Sequence, residues 1–199
     1  WASGIASHAE GSGSWAYGTY SHAEGVNTQA QGFGSHAEGY LSITAVDTLY
    51  SHAEGYGSWA MGHWSHAEGE NTFAGPHKAS HTEGINTIAY AMASHAEGSS
   101  SIASGHFSHA EGSGSWAYGK GSHAEGVNTT AFGNSSHAEG ENTHANGQTS
   151  HAEGQNTLAI GNGSHAEGIY TTASRDHSHA EGQLTQANGN WSHADRKST

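Results

Sequence analysis

Cysteine is absent from this chain, and proline occurs once, as Pro76. Without cysteine no disulfide can staple the fold, and the redox compartment leaves no trace in the sequence. Lysine and arginine number five against eighteen acidic residues, giving a formal charge of −13. That balance excludes a basic nucleic-acid surface, so no nucleic-acid partner is expected. No apolar run approaches the length that spans a bilayer, so no membrane insertion is expected of this segment. Leu, Ile, Val and Phe supply only 18 of 199 residues. Such a share alone falls in the range of disordered chains, and it is too small and too evenly spread for one globular core.

What the chain has is order. Ser-His-Ala-Glu-Gly and its close variants recur fourteen times. Eleven of the thirteen intervals between the motif histidines are fourteen residues; His36 to His52 is sixteen and His66 to His81 is fifteen. Disorder places no demand on register, so a period held along the whole chain reads as a repeat architecture.

Each unit divides into two related sevens: residues 7–11 read Ser-His-Ala-Glu-Gly and residues 14–18 read Ser-Trp-Ala-Tyr-Gly. Alternation at period two predicts strands with Ser, Thr and Ala on one face and the variable residues on the other. A glycine is expected to close each strand at a positive-φ corner. Gly-x-Asn-Thr recurs with Asn27, Asn71, Asn86, Asn128, Asn142 and Asn156, and Asn also tolerates the left-handed region. So much Gly, Ser, Thr and Asn rules out helix, and collagen would need glycine at every third position. The expected fold is all-β: a parallel β-solenoid, or β-roll, with two short strands per fourteen-residue coil and about fourteen coils, as one repetitive domain over residues 1–199. At about 4.8 Å per coil the stack would form a rod on the order of 65 Å long. An interior of Ala, Ser and Thr buries little apolar area, which predicts association of copies along that rod.

Ser14-Trp15-Ala16-Tyr17-Gly18, Thr157-Leu158-Ala159-Ile160-Gly161 and Thr130-Ala131-Phe132-Gly133 are similar to the Ser-Val-Ala-Ile-Gly strand of trimeric autotransporter adhesin heads. The heptad resembles the head repeats of this YadA-like family along the whole chain. The resemblance implies a left-handed parallel β-roll, a homotrimer around one axis, and an extracellular adhesive role on a bacterial surface. His-Ala-Glu departs from the usual Val-Ala-Ile, and in that version the motif is also similar to repeats of phage and prophage tail fibres, which would place it on a virion and recognise a bacterial surface.

His and Glu at i and i+2 of one strand share a face, so stacking predicts two columns. Their members are His8 and Glu10, His22 and Glu24, His36 and Glu38, His52 and Glu54, His66 and Glu68, His81 and Glu83, and His95 and Glu97. The series continues with His109 and Glu111, His123 and Glu125, His137 and Glu139, His151 and Glu153, His165 and Glu167, His179 and Glu181, and His193 and Asp195. Near-identity of the layers favours this face as the trimer-interface ladder, where His–Glu hydrogen bonds between chains would satisfy both groups. The opposite orientation stays open, because the other strand carries apolar Ile88, Ile102, Trp116 and Tyr118 and faces the axis in the YadA-like family. Pairing would raise the histidine pKa values and lower those of the glutamates, which predicts a stability maximum between their ranges.

Histidine beside carboxylate also suits Zn, Ni or Fe. The i, i+2 spacing separates such side chains by about 6.5–7 Å, wide for one ion, so a structural ladder without metal or cofactor is expected; a metal-loading His-ladder scaffold remains an alternative function. Fourteen copies of one Ser-His-Glu set describe scaffold rather than an activated nucleophile, so no enzyme is expected. Trp15 and Tyr17, Trp59 and Met61, and Trp116 and Tyr118 repeat Gly-Ser-Trp-Ala-[Tyr/Met]-Gly. As exposed pairs they are the ligand-surface candidates; packing between coils or chains is the competing reading.

Irregular coils are expected near residues 40–50, 73–79 around Pro76, and 175–177, where Arg175 replaces the second-half glycine as Ala91 does earlier. Off-ladder His63, His77, His106, His144 and His177 are expected to be solvated. Trp1 starts within a coil and Asp195, Arg196 and Lys197 break the motif, which reads as a segment of a longer fibre. The function expected is structural and adhesive: a rigid trimeric shaft or head presenting a repetitive surface to a cell, matrix or glycan target.

Overall fold

The computed structural model describes residues 1–196; Lys197, the last residue of the expected terminal break, lies outside them. Two compact units divide the chain, Trp1–Ser100 and Ser101–Thr199. In the first, the motif strands His8–Ser12, His22–Val26, His36–Tyr40, His52–Tyr56, His66–Glu70, His81–Thr82 and His95–Ala96 lie side by side in chain order. Two-residue strands, from Trp15–Ala16 and Gln29–Ala30 to Ile88–Ala89, form the opposing sheet. The second unit repeats the plan, with motif strands from His109–Ser113 to His193–Arg196 and short strands from Ile102–Ala103 to Gln186–Ala187. Each is an all-β parallel solenoid with two short strands per coil.

The fourteen-residue period fixes the register. Each strand pairs in parallel with its own counterpart one coil on, as His8 with His22, Ala9 with Ala23 and Glu10 with Glu24. The second unit does the same, His137 pairing with His151 and Glu139 with Glu153. Any side-chain type at a given place in the motif therefore becomes a column.

The interior is as thin and small-residued as the alternation predicts. Ala16, Ala23, Ala30 and Ala37, and in the second unit Ala124, Ala131 and Ala138, are fully buried between the sheets. The motif serine closes the corner before its strand: Ser21 Oγ donates to the Gly18 carbonyl at 2.7 Å, and Ser122 Oγ to that of Gly119 at 2.8 Å. On the other strand Ser14 Oγ donates to the Gly25 carbonyl of the next coil at 3.0 Å, and Thr28 Oγ1 to Ser14 Oγ at 2.9 Å. Hydroxyls thus satisfy corner carbonyls that a wholly apolar interior would leave bare.

Glycine serves two purposes, only one of which was expected. The motif glycine does adopt positive φ, +107° at Gly25, but it lies inside the five-residue strand His22–Val26 instead of closing it. A Cβ there would also stand 2.1 Å from the Gly39 carbonyl oxygen. The second-half glycine is not left-handed. At Gly18 a Cβ would sit 1.9 Å from the Gly32 carbonyl oxygen, so close stacking of coils selects it.

Three positions of the coil turn left-handed. The second is the expected Asn, with φ 55° at Asn27 and 54° at Asn128. The third precedes the motif serine and carries no turn residue preference: Tyr20 at 59°, Trp64 at 56°, Thr149 at 54°. Backbone bonds from coil to coil hold it there, Tyr20 N–H donating to the Ile5 carbonyl at 2.9 Å and Trp64 N–H to that of Leu49 at 2.8 Å.

The irregular coils are absorbed locally. The two extra residues near 40–50 form a turn that exposes Val46 and puts Asp47 at φ 61°. Thr48 takes over the corner there, its Oγ1 donating to the Ala45 carbonyl at 2.7 Å. Ala91 and Arg175 were expected to reshape their corners. Both corners retain the closing bond, from Ser94 Oγ to Ala91 O and Ser178 Oγ to Arg175 O at 2.6 Å each.

Candidate functional site

Parallel register in fourteen-residue steps stacks the motif imidazoles. From His22 to His95 successive ring centroids lie 4.6–4.9 Å apart, with planes within 17° of parallel. From His109 to His193 the spacing is 4.7–4.9 Å. His8 is the exception, meeting His22 edge-on.

The glutamates run beside this stack, and their side chains bend toward it. His66 Nε2 is 3.4 Å from Glu68 Oε2, and His123 Nε2 is 3.5 Å from Glu125 Oε2. A glutamate also reaches the next coil: Glu38 Oε2 lies 3.9 Å from His36 Nε2 while its Oε1 lies 3.7 Å from His52 Nε2. The side-chain separation expected from strand spacing alone is therefore corrected, because side-chain torsions bring the groups to roughly half that distance. The carboxylates open onto a shallow groove floored by motif glycines, lined by Glu10, Glu24, Glu38 and Glu54 in one unit and by Glu111, Glu125, Glu139 and Glu153 in the other.

Proximity to carboxylates does not raise six of these imidazoles. Burial, and then the charge of the stacked neighbour, pushes the imidazoles of His36, His52, His66, His81, His123 and His151 below the ordinary histidine range. Nearby carboxylates oppose this and are outweighed, so the upward histidine shift expected from pairing is reversed. The glutamates divide among themselves. Hydrogen bonds to Glu54 and Glu24 push Glu38 up to about 7. Burial and then Glu54 raise Glu68. Hydrogen bonds from neighbouring carboxyls, first among the causes, lower Glu24, Glu54 and Glu83. Glu38 thus holds a proton that it shares with Glu24 and Glu54. Nε2 of His22, His36, His52, His66, His123, His137, His151, His165 and His179 is shielded from solvent and makes no hydrogen bond.

The other strand presents the variable residues. Trp15 and Tyr17 are exposed and stack at 5.5 Å, whereas Trp116 and Tyr118 meet edge-on at 6.0 Å. Trp59 is exposed too and lines an apolar groove with Leu41, Ile43, Tyr56 and Phe73, while Met61 is half-buried. The same local sequence yields three geometries because the residues stacked above and below differ: Gln29 pairs with Trp15, Ile43 and Phe73 with Trp59, and Ile102 and Thr130 with Trp116.

Sequence reasoning missed a second aromatic line. Tyr20, Phe33 and Tyr50 stack edge-to-face at 5.4 and 5.7 Å along the corners before the motif serines. Tyr40 and Tyr56 stack at 5.1 Å just beyond the motif glycines. Tyr40 and Tyr56 are register partners, so reading down the period would have revealed them. Phe33 instead stands one residue before Gly34, the counterpart of Tyr20 and Tyr50, so the period hid the first line. The off-ladder histidines are not uniformly solvated: His63 Nδ1 accepts the Leu49 N–H at 3.1 Å, and His177 stacks on Trp191 at 4.1 Å.

A parallel solenoid with an Ala/Ser/Thr interior and columnar outer faces defines a structural repeat protein. Residues 53–74, 96–122, 124–150 and 152–174 match the family model of the YadA head domain repeat. These segments of the chain are similar to YadA head repeats, which suggest a structural, adhesin-like segment. No curated protein matches it.

Proposed function

We propose that three copies of this chain associate around one axis to form a rigid extracellular fibre segment of an adhesin. The segment holds an exposed repetitive surface against a cell, matrix or glycan target from a bacterial surface. The YadA head repeats carry this reading. The thin interior supports it, since Ala and Ser columns bury little apolar area per coil and favour stabilisation by neighbouring chains.

The His/Glu face is the one we place on the axis. It is nearly invariant from coil to coil, as a repeated contact between identical layers would require, and its shielded Nε2 atoms need partners. The second strand mixes Trp15, Gln29, Ile43, Thr130 and Gln186, a variation suited to an outer, target-facing surface. Trp15, Tyr17, Trp116 and Tyr118, with the Tyr20–Phe33–Tyr50 line, would then supply contact area for sugar rings or protein.

Light scattering of the purified chain should give three times the 20.5 kDa chain mass; a monomer at micromolar concentration overturns the assembly. Nitroxide labels at Glu139→Cys should report shorter distances between chains than labels at His144→Cys. The reverse order overturns the orientation and leaves the trimer standing.

A further inference from the structure

We propose that the histidine and glutamate columns bind divalent transition-metal ions, each held by two motif histidines of successive coils and a glutamate beside them. His52, Glu54 and His66 form one such set, and His123, Glu125 and His137 another; each set brings three ligand atoms within 4.8 Å of one another.

Three observations converge on these sets. The histidine–carboxylate spacing fits: metal–nitrogen and metal–oxygen bonds of about 2.0–2.2 Å place the ligand atoms of a tetrahedral ion roughly 3.3–3.5 Å apart, while the paired imidazoles, stacked 4.8 Å apart, would tilt toward each other to close on it. His52 Nε2 already lies 3.5 Å from Glu54 Oε2, and His123 Nε2 lies 3.5 Å from Glu125 Oε2. The nitrogens are ready: Nε2 of His52, His66, His123 and His137 is shielded from water and makes no hydrogen bond. A buried ring nitrogen in that state, in the tautomer that carries its proton on Nδ1, gains from a ligand that takes its lone pair. Access is also provided, since Glu54 and Glu125 both border the shallow glycine-floored groove of their unit. Two imidazoles and a carboxylate select zinc, copper, nickel or cobalt over calcium or magnesium, which take oxygen ligands.

The stack also sets the stoichiometry. Each imidazole offers one Nε2 to the column, so a site with two histidines consumes two coils. Ions would then stand about 9.6 Å apart, two strand spacings, and mutual repulsion would be moderate. The ladder therefore loads about one ion per two motif coils. Every ligand comes from one chain, so a single copy suffices to hold the ion; with the His/Glu face on the trimer axis, metal and interchain contacts would compete for the same Nε2 atoms.

The test uses the full chain, stripped with chelator and titrated with zinc chloride by calorimetry, with bound zinc counted by elemental analysis. About one zinc per two motif coils, with dissociation constants at or below roughly 10 µM, is expected. Replacing His123, His137, His151 and His165 together by Gln should remove about two ions. Replacing off-ladder His63, His77, His106, His144 and His177 by Gln should leave the count unchanged. No zinc bound at micromolar concentration, or loss of zinc only in the off-ladder variant, overturns the proposal. Should the ladder variant lose its β circular dichroism, copper(II) on the unmodified chain decides. Electron paramagnetic resonance should show coupling to two imidazole nitrogens per ion, and its absence overturns the proposal. Light scattering before and after zinc reports assembly separately, so failure of the trimer and failure of metal binding are distinguished.

Discussion

His52 and Glu38 belong to different coils, yet His52 Nε2 stands 3.7 Å from Glu38 Oε1 and 3.5 Å from Glu54 Oε2 of its own strand. The imidazole is therefore wedged between carboxyls of successive layers while its faces are covered by His36 and His66 at 4.8 Å. Protonating it would place a cation against two neighbouring rings, and burial opposes the same step.

Acid should therefore weaken the metal-free fold. The unfolded chain takes up histidine protons near pH 6.5, while the six lowered imidazoles resist them until lower pH. Their contribution is present above pH 6.5 and is lost as pH falls through the folded values. Glu38, raised to about 7, works in the other direction: its contribution is present below pH 4.5 and fades as pH rises to about 7. Glu24, Glu54 and Glu83 contribute above pH 4.5 and lose that below it. With six histidines against Glu38 and Glu68, the melting temperature of chelator-treated protein should be higher at pH 8 than at pH 5.5. The opposite order would refute this balance.

Close stacking of coils makes one glycine irreplaceable and another dispensable. Gly126 has φ +111°, and a Cβ would stand 2.1 Å from the Gly140 carbonyl oxygen. Gly126→Ala should lower stability by at least about 3 kcal/mol. At Gly189 a Cβ would meet nothing nearer than Ser192 Cβ at 3.5 Å. Gly189→Ala should stay within about 0.5 kcal/mol of the parent by denaturant titration.

Thr149 holds φ 54° with a β-branched side chain on the surface. A left-handed L-residue costs about 1–2 kcal/mol, and glycine returns about 0.5–1 kcal/mol of that as chain entropy. Thr149→Gly should thus stabilise by about 0.5–1 kcal/mol. An unchanged or lower denaturation midpoint would show that the corner is unstrained.

Two buried threonines should respond oppositely to Val. Thr129 Oγ1 bonds Ser115 Oγ at 2.9 Å, whereas Thr157 Oγ1 has no partner. Removing the first hydroxyl should cost about 1 kcal/mol, and removing the second should be neutral or stabilising. Equal losses, read by thermal unfolding, would contradict the assignment.

The solenoid was legible in the sequence because its period is its architecture: the repeat that spaces His22 from His36 is the one that pairs them. Asn27 and Asn128 announced their corners, since few residues other than Gly adopt that conformation readily. Tyr20, Trp64 and Thr149 announced nothing, for coil-to-coil backbone bonds rather than side-chain preference impose their geometry. The ladder was foreseen as a column, but its electrostatics were not. Spacing His123 and Glu125 along an extended backbone ignores torsions that bring their tips together. Counting opposite charges also ignores the burial and stacking that keep an imidazole neutral.

Same-on-same pairing carries a consequence for assembly. Slide one copy along another by a single coil and almost every His again meets His, so the regular coils encode no offset. The sixteen-residue coil between His36 and His52, and the fifteen-residue one containing Pro76, break that degeneracy. In the proposed assembly they would act as index marks: only with the longer coils level would side-by-side copies match throughout, and the two interruptions of the repeat would become its alignment key.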